Sequence, residues 1–388
     1  MPIREGNVTY YFGPKELGAA DDLRSAIVEF IAEAKEELQI AVQELEDEAI
    51  ARAIIEAKQR GLQVRLILER SYLEEERVQR DPFAPGGENE RNRQLLAAVL
   101  RAGVNVAVDL NPSIFHQKFV VRDPDRSVPQ SAVLTGSTNF TPTGVGSNLN
   151  LVVEVLWKRV AANYAQEFEE MWEGTFGLLR ERRDRGTNRD GTPPRHTVRG
   201  LPIKILFAPD HGPEMEIMKQ MMKAKERVDF AIFTFARSSG IDDTMKVLAR
   251  SGITIRGIMD GTNANQQWAA SHGLLEGSDP NIELFRAKRV GGLNKLHHKL
   301  LVIDGKITIV GSYNFTGPAN LLNDENILVV GDYDAESEGG EVPGEPLARA
   351  SLAEIDRIID RFGVLMTADV DDGVNHRATS RRGAPSPH

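Results

Sequence analysis

The sequence contains no cysteine, so it carries neither a disulfide framework nor a thiolate metal site. It has no apolar run near the roughly 20 residues that cross a bilayer. Its first residues, Met-Pro-Ile-Arg-Glu-Gly-Asn, lack the apolar segment of a secretory leader. It also lacks an excess of positive charge: the formal net charge is −10, which argues against a non-specific binder of polyanions. These absences together give the expectation of a soluble, cytoplasmic protein with no transmembrane segment. Histidine is scarce, eight in 388 residues, so its placement carries information.

What is present is ample apolar content, 41%, enough for two or three domain-sized cores. One local charge run stands out. Between Arg180 and Arg199 there are seven arginines against three acids, in a Gly-, Thr- and Pro-rich stretch that reads as a solvated linker or as a basic strap beside a phosphate-bearing substrate.

The chain repeats itself. "VTYYFGP" (Val8–Pro14) matches "IKILFAP" (Ile203–Pro209) as a short apolar strand ending at proline. Each is followed by an amphipathic helix pattern, "LRSAIVEFIAEAKEEL" and "MEIMKQMMKAKERV", then by strands "QIAVQEL" and "DFAIFTF". Second helices ending at glycine and strands "QVRLILE" and "TIRGIMD" follow. "VNVAVDL" and "IELFRAK" then lead into the motif segments. Strands alternating with helices imply an α/β fold with mixed, mostly parallel sheets flanked by helices. The expected units are a first repeat at 1–178, a linker at 179–200, a second repeat at 201–366 and a polar, disordered tail at 367–388. The helical spacing of Met215, Met218, Met221 and Met222 predicts a buried core face in preference to an adaptable lipid-facing surface.

Within each repeat lies the same phrase. "FHQKFVVRD" supplies His116, Lys118 and Asp123; "HHKLLVID" supplies His297, Lys299 and Asp304. Both read H-x-K-x4-D, and both precede a second shared element, "GSTNF" with Ser137 and Asn139 and "GSYNF" with Ser312 and Asn314. A single H-x-K is weak; two copies at matching places are specific. Side chains alternate along a strand, so His116 and Lys118 are expected to project together, as are Ser137 and Asn139. In "HHK", His297 shares the face of Lys299, which leaves His298 as a packing residue. If the halves pack about a pseudo-two-fold axis, both His/Lys pairs converge on one cleft. Such a cleft suits a phosphodiester. Lysine and asparagine hold the nonbridging oxygens, one histidine attacks phosphorus, and the other protonates the leaving oxygen. The lysines provide the positive charge, so no metal or cofactor is expected, and the site can be complete within one chain.

These paired elements resemble the phospholipase D superfamily, with the resemblance running from about Val8 to Gly331. It implies two phospholipase D-like repeats packed as a pseudo-two-fold dimer with the active site at their interface. It further implies His116 as nucleophile of a covalent phosphohistidine mechanism and His297 as general acid/base. Lys118, Lys299, Asn139 and Asn314 would bind phosphate, with Ser137 and Ser312 supporting. Asp123 and Asp304 would be structural. Glu325 stands where the family commonly has an acid that orients a histidine. Aligning "NLVVEV" on "NILVVG" puts Leu149 at the matching first-half position, with Glu154 a poor substitute, so the halves are expected to be unequal. The first half also carries an insertion, "DPDRSVPQ", read as a longer surface hairpin.

The superfamily spans several substrates. Arg286, Lys288, Arg289 and Lys295 precede the second motif and favour a nucleic acid strand as partner, hence a nuclease. The alternative is a phospholipase or phosphatidyl-transferring enzyme, which requires an exposed apolar rim such as the "DPFAPGG" loop. A further alternative is a non-catalytic nucleic-acid-binding scaffold, against which two intact H-x-K pairs argue.

Overall fold

A computed structural model describes residues 1–75, 77–124, 130–177, 193–333 and 342–367. In the first half, alternating apolar residues form β1 (Ile3–Glu5), β2 (Val8–Gly13), β3 (Glu37–Val42), β4 (Gln63–Leu68) and β5 (Asn105–Val108). The motif strands follow as β6 (Lys118–Arg122), β7 (Ala132–Gly136) and β8 (Asn148–Val155). The second half supplies β9 (Arg195–Val198), β10 (Leu201–Ala208), β11 (Arg227–Ile232), β12 (Thr254–Asp260) and β13 (Ile282–Ala287). After these come β14 (Lys295–Leu296), β15 (Lys299–Ile303), β16 (Ile307–Gly311), β17 (Glu325–Val330) and β18 (Gly363–Leu365).

The two sheets run β1-β2-β8-β7-β6-β3-β4-β5 and β9-β10-β17-β16-β15-β11-β12-β13-β18, so their central seven strands correspond one to one. Each is a mixed α/β sheet. Only β3-β4-β5 and β11-β12-β13 are parallel within a half, and antiparallel pairings outnumber parallel ones, contrary to the mostly parallel expectation. The cause is local: β6 and β7 follow one another directly, and only the short helix Pro142–Gly146 separates β7 from β8, too little chain for a parallel crossover.

Helices cover the outer faces. Asp47 caps Glu48–Gln59 by accepting from the amides of Ala49 and Ile50. That helix buries Ile50, Ala51, Ala53, Ile54 and Ala57 at three- and four-residue steps. In the second half Ile241, Met245, Leu248 and Ala249 play the same part. The other sheet faces share a continuous core between the halves, including Val8, Tyr10, Phe119 and Val153 from one and Ile203, Leu300, Val302 and Leu328 from the other. At roughly 1.5–3 kcal/mol for each large apolar side chain, this shared core makes the halves one body. Polar ties cross it as well. Tyr10 and Thr308 hydroxyls lie 2.7 Å apart, and Asn326 donates to Gln117 at 2.7 Å while accepting from Thr135 at 2.8 Å.

Several expectations change here. Arg195–Val198, assigned to the linker, is an edge strand paired with β10. The rest of the arginine run up to residue 192, the core of the insertion (125–129) and the tail from 368 lie outside the described residues. Of the methionines, Met221 is fully buried while Met215 and Met222 are exposed, because Pro213–Met221 is a short helix that shows only one narrow stripe to the sheet. Among the described residues, no helix is long and apolar enough to cross a membrane.

Candidate active site

β6 and β15 run antiparallel to β3 and β11, so each motif histidine, just before its strand, stands at the carboxyl ends of the parallel strands. Each is gripped by the opposite half. The His116 amide donates to the carbonyl of Asp324, and the His297 amide to that of Leu149, at 3.0 and 2.9 Å. The rings follow suit. His116 Nδ1 lies 2.7 Å from Glu325 Oε2. His297 Nδ1 lies 3.0 Å from both the Ser137 carbonyl and Asn150 Oδ1. In each case Nδ1 faces protein and Nε2 is left for the cleft.

The lysines bend back toward their own motifs. Lys118 Nζ donates to the His116 carbonyl at 2.8 Å and to Gln43 Oε1 at 3.2 Å. Lys299 Nζ donates to the His297 carbonyl at 3.0 Å and sits 5.0 Å from the centre of the Phe233 ring. That ring also lies 4.8 Å from the His297 ring. The four groups feel one another electrostatically. Burial, then Lys118 and Lys299, lower His116 to about 4, with Glu325 opposing. His297 is held well below its usual value by burial and then by Lys299, Lys118 and His116. Burial lowers Lys118 to about 8, opposed by Glu325, Glu44 and Glu69, and Lys299 falls well below its ordinary value through burial and the charge of Lys118. Burial and mutual repulsion thus disfavour the charged forms of both imidazoles and both lysines, a penalty that an entering anion relieves.

The glycine of each G-S-x-N-F element has a steric reason. A Cβ at Gly136 or Gly311 would fall inside contact distance of the Leu151 or Asn326 carbonyl oxygen. That close approach ends the strand, so Ser137 and Asn139 lie past β7 rather than alternating along it as expected. Both serines are fully buried and their hydroxyls face inward: Ser137 donates to Asn150 Oδ1 at 2.8 Å and Ser312 to Glu325 Oε2 at 2.6 Å. They brace the groups that hold the histidines and leave phosphate contact to others. Asn139 donates to Glu44 Oε1 at 2.5 Å, and the amide oxygens of Asn139 and Asn314 are buried without a hydrogen-bond partner among the described residues.

The alignment of Leu149 with Glu325 is off by one. Gly136 pairs with Val152 and Gly311 with Ile327, which makes Asn150 the counterpart of Glu325. Sequence matching of asparagine to asparagine hid this, and a one-residue slip exchanges the faces of a strand. The halves are unequal as expected, but through carboxylate against amide. Glu154 lies four residues beyond Asn150 along the same strand, 3.3 Å from the Tyr11 hydroxyl.

The motif aspartates sit at the far ends of their strands. Asp123 accepts from the amides of Lys35, Glu36 and Glu37 at 2.7–3.1 Å, and Asp304 from those of Lys225, Glu226 and Arg227 at 2.7–3.0 Å. Each tethers the turn that launches β3 or β11. His298 points away from the cleft, fully buried, with Nε2 3.6 Å from Glu354 Oε1. Sequence reasoning missed Gln43, Glu44, Asn150 and Phe233. Gln43 and Glu44 open "QEL" just past β3 and Phe233 opens "FTF" just past β11, a placement visible only once β3 and β11 are known to point at the motif. Among the described residues, no group of three or more His, Asp or Glu side chains is placed to hold a metal ion.

Comparison with known proteins agrees with this architecture. The family model described as "Cardiolipin synthase, PLD-like domain" matches residues 27–172 and 217–338. A phospholipase D of Rickettsia felis is 29% identical over 145 residues, covering 35% of this chain and 64% of that protein. A mitochondrial cardiolipin hydrolase of Chlamydomonas reinhardtii is 31% identical over 114 residues, covering 28% of this chain and 46% of its own length. The chain thus spans less than two thirds of the curated relatives it matches. Among solved structures, phosphatidylserine synthase from Haemophilus influenzae superposes with a TM-score of 0.61 at 14% identity, covering 92% of this chain and 87% of that one. Polyphosphate kinase from Porphyromonas gingivalis gives 0.62 at 12% identity, covering 93% and 48%. At such identities these two likenesses establish the fold alone.

Proposed function

The chain belongs to the phospholipase D superfamily, and from that premise we propose that it is a phosphodiesterase that works through a phosphohistidine and acts on phospholipids. The observation that carries the chemistry is the contact between His116 Nδ1 and Glu325 Oε2. A carboxylate there keeps the proton on Nδ1 and the Nε2 lone pair free for phosphorus. His116 is accordingly the nucleophile. Lys118 and Lys299 take the nonbridging oxygens, with the remaining amide protons of Asn139 and Asn314 beside them. The negative charge of the bound phosphodiester offsets the repulsion among the lysines and raises His297 toward its protonated form. His297 then delivers a proton to the leaving oxygen, and afterwards withdraws one from water or a second alcohol to release the intermediate. The charge the transition state needs comes from side chains of the chain itself.

The choice of phospholipid over nucleic acid departs from the expectation drawn from Arg286, Lys288, Arg289 and Lys295. Two observations favour it. The relatives named above act, by their names, on phospholipids. The loops leaving the strand ends around the cleft also expose apolar side chains: Val78 and Phe83 after β4, Leu110 and Ile114 after β5, and Trp268 after β12. Apolar tips with Lys288 and Arg289 exposed nearby suit an anionic membrane surface. Nucleic acid is the second reading, resting on the basic loop alone.

The test compares phospholipid vesicles with single-stranded DNA, duplex DNA and RNA, each in EDTA. Lipid hydrolysis that persists in EDTA, vanishes in His116→Asn and survives in His298→Asn is the expected result. Activity that EDTA abolishes and a divalent ion restores overturns the mechanism. Cleavage confined to nucleic acid overturns the substrate.

A further inference from the structure

A carboxylate stands in this cleft where phosphate chemistry alone gives no reason for one. Glu44 follows β3 by two residues, mostly buried, between Lys118 and Asn139. Its Oε1 accepts from Asn139 Nδ2 at 2.5 Å. Its Oε2 has no protein donor among the described residues, although the charges of Lys118 and Lys295 act on it. Burial, with Glu46 adding, pushes its carboxyl up to about 7 against those two lysines. No cation of the described residues comes within ion-pair distance of it, and the Lys118 ammonium turns to Gln43 and the His116 carbonyl. The strand registers, Val42 opposite Lys118 and Ile232 opposite Lys299, make Thr234 the counterpart of Glu44. The second half has no such acid.

Its position within the cleft is also defined. Asn139 lies two residues beyond Ser137, whose carbonyl holds His297. Glu44 is therefore tied to the loop that holds the His297 ring, on the side where the leaving alcohol takes its proton. An anion there repels phosphate and attracts whatever carries a proton next to it.

We propose that Glu44 is a specificity residue: its Oε2 accepts a hydrogen bond from a hydroxyl or ammonium donor on the leaving alcohol, so the enzyme selects phosphodiesters whose head group bears such a donor. The inference rests on the phosphodiesterase reading above. A carboxylate acceptor discriminates strongly because a buried charge left without its donor is costly. Lys295, stacked 5.5 Å from the centre of the Phe233 ring, is too far to fill that role from the protein side, since no contact between it and Glu44 exists among the described residues.

The experiment measures kcat/KM of the full-length wild type, Glu44→Gln and His116→Asn on mixed micelles of four lipids: phosphatidylglycerol, phosphatidylethanolamine, phosphatidylcholine and phosphatidylmethanol. Glutamine keeps a partner for Asn139 and removes the charge. Glu44→Gln is expected to lose about 10- to 100-fold on a donor-bearing lipid and to stay within about threefold of wild type on phosphatidylmethanol. Loss on phosphatidylglycerol identifies a hydroxyl as the donor, and loss on phosphatidylethanolamine an ammonium. An equal loss on all four lipids makes Glu44 a brace for Asn139 and overturns the proposal, as does no loss on any. A loss on phosphatidylcholine as large as on phosphatidylethanolamine overturns it too, since choline offers charge without a donor. Wild type no more active than His116→Asn on every lipid fails the phospholipid reading itself, a result distinct from the others.

Discussion

Glu325→Gln isolates what the carboxylate does for His116, because the residue is buried and its neighbours dictate how glutamine must sit. Glu325 Oε2 meets His116 Nδ1 at 2.7 Å and the Ser312 hydroxyl at 2.6 Å, while Oε1 accepts from Asn323 Nδ2 at 3.3 Å. In the variant, Asn323 turns its Nδ2 donor toward that position, so the amide oxygen belongs on its side. The amide NH2 then faces His116 and Ser312. The serine hydroxyl rotates and accepts. The imidazole adapts by losing its Nδ1 proton and carrying it on Nε2, where the lone pair for attack on phosphorus is gone. A wrong tautomer of this kind costs on the order of 10³- to 10⁴-fold in kcat, about 4–5.5 kcal/mol of barrier at 1.36 kcal/mol per decade. Loss of a charge-assisted hydrogen bond without a tautomer switch costs only about 1.5–3 kcal/mol, roughly 10- to 150-fold. Single-turnover rates of phosphoenzyme formation, with thermal unfolding as a check on folding, separate the two. A Glu325→Gln enzyme that folds normally and stays within tenfold of wild type refutes both the tautomer argument and His116 as nucleophile.

Two further perturbations probe the other half and the scaffold. Asn150→Asp places a carboxylate beside His297 Nδ1, stabilises the imidazolium, and so moves the basic limb of the kcat pH profile upward while kcat at its optimum stays within about tenfold; a limb that stays put or moves down excludes His297 as the general acid. Although burial opposes it, the Tyr333 hydroxyl and the Arg227, Lys225 and Glu226 amides hold the Asp304 carboxyl below its ordinary 3.8. A folded-state pKa below the unfolded one adds stability that is present above the unfolded value and is lost as pH falls through the folded one. Asp304→Asn, which turns an NH2 toward those amides, should cost about 1–3 kcal/mol at pH 7 in urea unfolding and flatten the decline below pH 4, and an unchanged midpoint at pH 7 argues against the tether.

The sequence disclosed the site more fully than the architecture around it. Histidine and lysine two residues apart, repeated with G-S-x-N-F, named the groups that meet because motif spacing is local information. What it hid depends on pairing between distant segments. Asn150 was concealed because register, set by Gly136 against Val152, decides which residue of β8 faces His297. Glu44 and Phe233 lie at strand ends whose direction toward the cleft follows from β3 and β11 running antiparallel to the motif strands. The parallel content was overstated because helix–strand alternation describes only the first part of each repeat. Met215 and Met222 were misjudged because periodicity does not say how narrow a stripe of a short helix meets the sheet.

The exchange of backbone and side-chain grips between the halves, His116 held by Asp324 and Glu325, His297 by Leu149, Ser137 and Asn150, makes catalysis a gauge of how the halves are seated. A slide of a fraction of an ångström along the shared core leaves both sheets intact and almost all burial unchanged. It nevertheless stretches the contacts that fix both tautomers. If the proposed chemistry holds, warming or mild denaturant is expected to silence it before any sheet melts, and a compound wedged at that seam would inhibit without ever entering the cleft.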